Sequence, residues 1–320
     1  MRQYCLLMLL CGCTTLSNDD LDQLASAQRN ASSYFEGGKL NQTLLQVERG
    51  LDIEPDDYKL NVLKGASLLR LSERDVTKID EATEILERVY DWRSPMRHEP
   101  AELFYLGLAR QRQGLRNLAE AIRVEDRARR APDKKRHNEF VAQSKTARAN
   151  AKAQLELANE VFDVLIDRGD SLRLTHNHRM QVSRQLGNDE EFAESAKAFF
   201  EITAKQQKFV DDEVKRTPTP DYEAAQYAVL KQLEQEEVEV RGFVADWCFH
   251  QQDYAEALKH MDRALQLDPT RSDNYYNRGR LYIELDEIDK AKVDFRRFLA
   301  TSQLPATSQR MTYATMILTQ

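Results

Sequence analysis

The sequence predicts an all-α fold in which pairs of antiparallel helices stack in a row, and three observations support this prediction. Glycine and proline are scarce, at 11 and 8 of 320 residues, so few positions interrupt a helix. The chain is rich in glutamate, alanine, leucine, lysine, arginine and glutamine, which lose little side-chain freedom in a helix. Small and large residues also recur 34 residues apart near the C-terminus, with prolines between the resulting units.

The N-terminal residues resemble the signal of a bacterial lipoprotein. Arg2 precedes a short apolar run at 4–10, which is too short to span a bilayer as a helix and is typical of a secretory signal. Leu10-Cys11-Gly12-Cys13 is similar to a lipobox, in which cleavage follows the glycine and the next cysteine is acylated. The resemblance implies a signal peptide at 1–12 and a lipidated Cys13. An apolar tail that is not cleaved is the alternative.

The segment after this cysteine would place the protein in the envelope. Residues 13–24 are largely polar and would form a tether. Thr14, where an aspartate could stand, resembles the sorting pattern for delivery to the outer membrane, so we expect a lipid-anchored protein that faces the periplasm. Each acyl methylene buried in a membrane contributes about 0.8 kcal/mol, so several acyl chains would anchor the protein stably.

Residues 25–132 predict an N-terminal lobe of three degenerate helix pairs. The third pair is expected to contain a small insertion near residues 115–118. Prolines that end one helix or begin the next fall between the pairs, at Pro55, Pro100 and Pro132. The packing positions of the three pairs include Val47, then Gly65 and Leu86, then Leu103, Gly107, Ala121 and Ala128.

The middle segment, 133–216, has a different pattern. Apolar residues follow a helical spacing from Arg136 to about Arg168, over a greater length than a repeat helix needs. Two more helices are predicted on either side of Gly187-Asn188. Residues 217–220 read as a linker and hinge, whose last two residues can cap and open a long helix from Asp221 to about His250.

The C-terminal segment, 221–320, carries the clearest repeat and is expected to end in a capping helix at 307–318. Small residues recur 34 positions apart where two helices would cross closely, and large ones recur where neighbouring pairs would meet. The pairs at this spacing are Ala245 with Gly279, Ala257 with Ala291, Met261 with Phe295 and Leu265 with Leu299.

At these residues the sequence resembles the tetratricopeptide repeat family. One unit contains Asp253-Tyr254-Ala255-Glu256-Ala257-Leu258, and the next contains Tyr275-Tyr276-Asn277-Arg278-Gly279-Arg280-Leu281-Tyr282. The resemblance implies a solenoid of helix pairs wound as a right-handed superhelix. It also implies that the first helices of the pairs line a groove that holds peptides. The groove residues would then be Asp246, Phe249, Asp273, Tyr276, Asn277, Arg280 and Glu284.

The groove residues suit peptide recognition, with ordinary surface as the alternative. Tyr276, Asn277 and Arg280 would offer an aromatic surface, an amide and a fixed cation, which match main-chain and carboxylate groups. The run from Arg127 to Arg136 could contact anionic lipid headgroups, lipopolysaccharide or an acidic partner, or simply be a solvated helix end.

Little in the sequence points to catalysis, metal ions or nucleic acid. The net charge of −7, with both signs mixed, argues against nucleic-acid binding. His176 and His178 would face different sides of a helix, so we expect no metal, and no cofactor is implied. Cys248 falls on a packing position of the repeat rather than beside a base. No glycine-rich phosphate loop or serine-nucleophile elbow is present in the sequence.

The sequence therefore predicts a non-enzymatic scaffold, anchored in the outer membrane, that holds a protein partner during assembly of the cell envelope. Two alternatives remain open. The groove could bind a small molecule or a cell-wall fragment, in which case a tight aromatic pocket is expected. The protein could also be an enzyme whose site is assembled from distant residues, in which case a cleft with perturbed carboxylates or histidines is expected.

Overall fold

The computed structural model describes residues 16–92, 97–170, 172–216 and 219–319. The expected signal peptide, Cys13 and the first two residues of the 217–220 linker lie outside the described residues. Within those ranges the structure contains thirteen α-helices and no strand: α1 (Asn18–Glu36), α2 (Leu40–Leu51), α3 (Tyr58–Leu71), α4 (Lys78–Asp91), α5 (Pro100–Arg129), α6 (Lys134–Asp167), α7 (Arg173–Leu186), α8 (Asp189–Arg216), α9 (Pro220–His250), α10 (Tyr254–Leu267), α11 (Ser272–Glu284), α12 (Ile288–Thr301) and α13 (Gln309–Thr319).

Local sequence signals set many of the helix ends. Ser17 and Asp20 form a reciprocal capping box at the start of α1. Gly187 ends α7 at φ 77°, a left-handed conformation that glycine adopts without steric cost. Pro220 begins α9 as expected, and Thr219 stands at the cap position, although its side chain makes no capping hydrogen bond.

The helices pack as consecutive antiparallel pairs, which confirms the all-α, helix-pair fold. The chain divides into two compact units, Met1–Asp170 and Ser171–Gln320. In the first unit the pairs are α1–α2, α3–α4 and α5–α6, and each pair packs on the next. In the second unit they are α7–α8, α9–α10 and α11–α12, again with successive contacts, and α13 covers α12. The division after Asp170 falls inside the segment 133–216 that the sequence suggested as the middle of the chain.

The small and large residues of the repeat meet across these pairs. Gly279 of α11 faces the ring of Phe295 of α12, where an added Cβ would lie 2.9 Å from the ring. Gly65 faces Leu86 in the same way, at 2.6 Å. Because a glycine lets the partner helix approach, each large side chain can be buried at the crossing.

The third pair differs from the sequence prediction. An insertion was expected near residues 115–118, but α5 continues unbroken through them, and its partner is the 34-residue helix α6. No glycine or proline occurs within 115–118 to interrupt the helix. Gly107 faces Phe162 of α6, so this pair repeats the small-to-large contact with longer helices.

In the ranges that the structure describes, no helix combines the length and the apolarity needed to cross a bilayer.

Candidate functional site

A small cleft opens between α9 and α11, the first helices of the last two pairs. Four residues of α9 share one face because they are spaced three or four apart, and three residues of α11 face them across the cleft. Met261 of α10 also contributes to the lining, and the enclosed volume is about 20 Å³. We call this the α9–α11 cleft; it is lined by Gly242, Ala245, Asp246, Phe249, Met261, Asn277, Arg280 and Leu281.

The guanidinium of Arg280 lies over the ring of Phe249, with 4.5 Å between the guanidinium carbon and the ring centroid. The rings of Tyr254 and His250 also lie near that of Phe249, at centroid distances of 5.4 and 6.0 Å. A cation over an aromatic face is attracted by the negative face of the ring. The contact therefore favours the orientation of Arg280 over the ring. The Arg280 guanidinium forms no ion pair with a carboxylate in the described part of the chain.

Asp246 brings a carboxylate to the same cleft, and a cation from the preceding helix pair offsets its charge. Arg184 of α7 forms an ion pair with Asp246, and the Arg184 guanidinium lies over the ring of Phe243 at 4.7 Å. The imidazole of His250 approaches the same carboxylate at 3.8 Å. The cleft thus presents a paired carboxylate on one helix and, on the other, the side-chain amide of Asn277 beside the cation of Arg280.

Of the seven groove residues expected from the sequence, the structure brings Asp246, Phe249, Asn277 and Arg280 together in this cleft. Tyr276 does not offer the aromatic surface that we expected. It is buried, with its ring 5.0 Å from that of Phe298, and burial raises its pKa.

The capping helix α13 contacts two of the three groove candidates that do not line the cleft. Arg310 of α13 lies 5.4 Å from the ring centroid of Tyr276 and forms a 3.0 Å ion pair with Asp273. Both groove candidates therefore face the end of the helix array rather than the cleft. Glu284, near the C-terminal end of α11, is exposed but does not line the cleft.

Sequence reasoning missed two features of this region. Arg184 belongs to a different helix pair, and no spacing rule connects it with Asp246. The second feature is a partly buried ionic cluster in which Arg278 donates to the buried Asp294 over 2.7 and 2.8 Å and to the more exposed Asp262 over 2.8 Å. These bonds raise the pKa of Arg278. The one sequence signal of this buried charge was that Asp294 directly precedes the core residue Phe295.

Cys248 and His176, which were considered for catalysis and metal binding, lie in packed surroundings that do not favour either role. Cys248 is buried, and burial together with Asp253 and Glu256 raises its pKa to about 11, so its thiol stays protonated and is a poor nucleophile near neutral pH. Burial lowers the pKa of His176. In the described ranges no group of three or more histidine, cysteine, aspartate or glutamate residues is placed to hold a metal ion.

Residues 249–293 match the model of the tetratricopeptide repeat family. We call these residues the tetratricopeptide segment. It extends from the end of α9 through α10 and α11 into α12, and it supplies Phe249, Asn277 and Arg280 of the cleft. The resemblance inferred from the sequence is therefore confirmed over this tetratricopeptide segment.

Solved tetratricopeptide structures are similar to the chain at low sequence identity. A thermophilic protein of Thermus thermophilus is 13% identical, with 93% of this chain and 100% of that chain covered and a TM-score of 0.32. A protein from Parabacteroides merdae is 11% identical, with 93% and 100% covered and a TM-score of 0.36. The TPR2AB domain of yeast Sti1, solved as a complex with pHSP90, is 13% identical, with 92% and 96% covered and a TM-score of 0.28. No curated protein matches the sequence.

Proposed function

We propose that the protein is a non-enzymatic scaffold that binds a segment of a protein partner in the α9–α11 cleft. The observation that carries the proposal is the cleft itself, since Asn277 and the stacked Arg280 stand side by side on a tetratricopeptide repeat. Proteins built from such repeats are generally scaffolds or adaptors rather than enzymes.

The chemistry of the cleft fits a polypeptide segment. Arg280 can donate two parallel hydrogen bonds to a carboxylate, and the Asn277 amide can both donate to and accept from a peptide group. Phe249, which is only partly buried, offers apolar contact for a side chain. The cleft encloses only about 20 Å³, far below the roughly 300–1,000 Å³ of typical small-molecule pockets. A cleft this small favours contact with the surface of a polypeptide segment over enclosure of a small molecule or a cell-wall fragment.

We also propose that the protein is anchored in the cell envelope. This proposal rests on the resemblance of residues 10–13 to a lipobox, with Cys13 as the acylated residue. An acylated Cys13 would attach the protein to the outer membrane, with its helix pairs in the periplasm. The scaffold would there hold a protein partner of the cell envelope during assembly, without a cofactor.

An affinity pull-down of the tagged protein from its native envelope tests both parts. The cleft variant is Asn277→Ala/Arg280→Ala. Its matched control is Gln235→Ala/Arg296→Ala, which removes an amide and a cation from exposed positions outside the cleft. Cys13→Ala tests the anchor.

We expect a specific envelope protein to be recovered with the wild type and the control, and to be lost with the cleft variant. We expect Cys13→Ala to leave the membrane fraction. Equal recovery with the cleft variant and the control would show that the partner binds elsewhere. Persistence of the Cys13→Ala chain in the membrane fraction would refute the lipid anchor.

A further inference from the structure

The α5–α6 pair extends well beyond its neighbours in the first unit. Its helices contain 30 and 34 residues, whereas α3 and α4 contain 14 each. The ion pairs of α5 with α4 reach as far as Arg116, which contacts Asp80 at 2.6 Å. From residue 117 to the end of α5, its hydrogen bonds and ion pairs in the described part of the chain are internal or made with α6. At 1.5 Å per residue, these thirteen residues project about 20 Å.

The end of this projection carries dense positive charge. Residues 127–136, which we call the basic tip, contain six cations and one carboxylate, a net charge of +5 on a chain of −7. The six cations lie on both sides of the short turn between the helices, so they share one end of the hairpin: Arg127, Arg129, Arg130, Lys134, Lys135 and Arg136.

Half of these cations have no ion-pair partner within the described residues, and all six are exposed. Arg130, Lys134 and Lys135 are the unpaired ones. An exposed ion pair contributes only about 0–1 kcal/mol, so the paired cations can exchange their partners readily. The other three pair with carboxylates of the same hairpin at 2.5 to 3.9 Å: Arg127 with Glu120, Arg129 with Asp126 and Arg136 with Asp133.

Apolar side chains accompany the basic tip. The Arg127 guanidinium lies 5.9 Å from the ring centroid of Phe140. That ring and Pro132 line a shallow surface depression among the arginines. Val141, the next residue along α6, is 47% exposed. Cations beside exposed apolar groups match a membrane interface, where anionic headgroups lie next to hydrocarbon. An acidic protein surface would complement the charge but not the apolar groups.

We propose that the basic tip docks on a membrane surface that contains anionic lipids. Its arginine and lysine side chains donate to the headgroup phosphates, while Phe140 and Val141 contact the boundary between headgroups and acyl chains. This contact is independent of any acyl group on Cys13 and of the α9–α11 cleft. It would hold the first unit at the membrane and leave the cleft available for a partner.

Binding of the full-length Cys13→Ala chain to vesicles tests this proposal, because this variant lacks the acylated cysteine. One vesicle population contains phosphatidylcholine alone and the other equal parts of phosphatidylcholine and phosphatidylglycerol. The tip variant is Arg130→Glu/Lys134→Glu/Lys135→Glu. The matched control, Arg49→Glu/Lys59→Glu/Lys197→Glu, makes the same change in net charge at exposed positions elsewhere. Circular dichroism checks that both variants keep their helix content.

We expect the Cys13→Ala chain to sediment with the anionic vesicles and not with phosphatidylcholine alone. The tip variant should lose at least roughly 100-fold in partition coefficient. It removes three cations that each contribute about 1 kcal/mol near an anionic surface, and it puts three repelled carboxylates in their place. The control should stay within about threefold of the parent, because charges more than a Debye length from the surface are screened. Equal losses in the two variants would overturn the proposal. So would soluble poly-glutamate that binds the tip as tightly as the vesicles do, since that result indicates an acidic polypeptide partner.

Discussion

Replacing Gly107 with alanine should destabilise the first unit when Phe162 is present and stabilise it when Phe162 is replaced by alanine. A Cβ at position 107 would lie 2.6 Å from Cε1 of the Phe162 ring and 3.0 Å from Cδ1 and Cζ. Phe162 is fully buried, at 0% exposure. Its rigid ring therefore cannot move aside without displacing other core residues.

Two opposing contributions set the magnitude. Overpacking a well-packed core typically costs about 1–3 kcal/mol. Alanine in place of glycine inside a helix stabilises by about 1 kcal/mol. Gly107→Ala should therefore cost up to about 2 kcal/mol in the native background and stabilise by about 1 kcal/mol beside Phe162→Ala. The coupling between the two substitutions is the overpacking contribution itself, about 1–3 kcal/mol. Phe162→Ala alone should cost about 3–5 kcal/mol.

The urea dependence of amide hydrogen exchange, measured by mass spectrometry on peptides from α5 and α6, gives the free energy of unfolding of the first unit separately from the second. Gly242→Ala is the matched control. Its Cβ would meet only Met261 Cε, at 3.9 Å, so the helix preference alone should stabilise α9 by about 1 kcal/mol. A coupling below about 0.5 kcal/mol between positions 107 and 162 would refute the close-packing argument.

Two further predictions concern the second unit. Burial and Arg241 lower the pKa of His260 below 6.5, so the unfolded chain binds more protons, and stability should fall as the pH drops below about 6.5. Urea midpoints measured on either side of that pH should differ less in His260→Gln than in the wild type, and an unchanged difference would contradict the assignment. Arg278→Ala leaves the carboxylate of Asp294, whose side chain is 3% exposed, without its ion-pair partner. This substitution should lower the free energy of unfolding, measured with urea, by about 3–5 kcal/mol. Arg278→Met/Asp294→Leu should cost less, because no unpaired charge remains in the core.

Helix positions followed from local sequence wherever breakers and periodicity agreed. The break at Gly187-Asn188 and the long helix predicted from Arg136 to about Arg168 both appear, the latter as Lys134–Asp167. Residues 115–118 show the limit of this reasoning. The spacing of a normal repeat suggested an insertion there, whereas the residues themselves favour helix. The continuous helix satisfies the local preference, and the long partner helix α6 supplies the packing that the repeat pattern requires.

The site was predictable in part. The resemblance to the tetratricopeptide family assigned Asp246, Phe249, Asn277 and Arg280 to the groove. Helix spacing agrees, since it puts the first two on one face of α9 and the last two on one face of α11. The burial of Tyr276 was not predictable from spacing. It depends on where α13 packs, which is a long-range contact that the local sequence of α11 does not encode. Repeat patterns assign a side chain to a helix face, but the neighbouring elements decide whether that face reaches solvent.

The arrangement of Arg280 adds a property that no spacing rule contains. An arginine side chain carries about 2 kcal/mol of rotamer entropy that binding can consume. Here the contact with the ring of Phe249 favours one placement of the guanidinium before any partner arrives, so part of that entropy is not lost on binding. A lysine at this position would keep the charge but not the planar, stacked fork. The cleft is therefore better suited to a planar acceptor, such as a carboxylate or a peptide group, than to a diffuse negative charge. This preference distinguishes its proposed partner, a polypeptide segment, from the anionic membrane surface proposed for the basic tip.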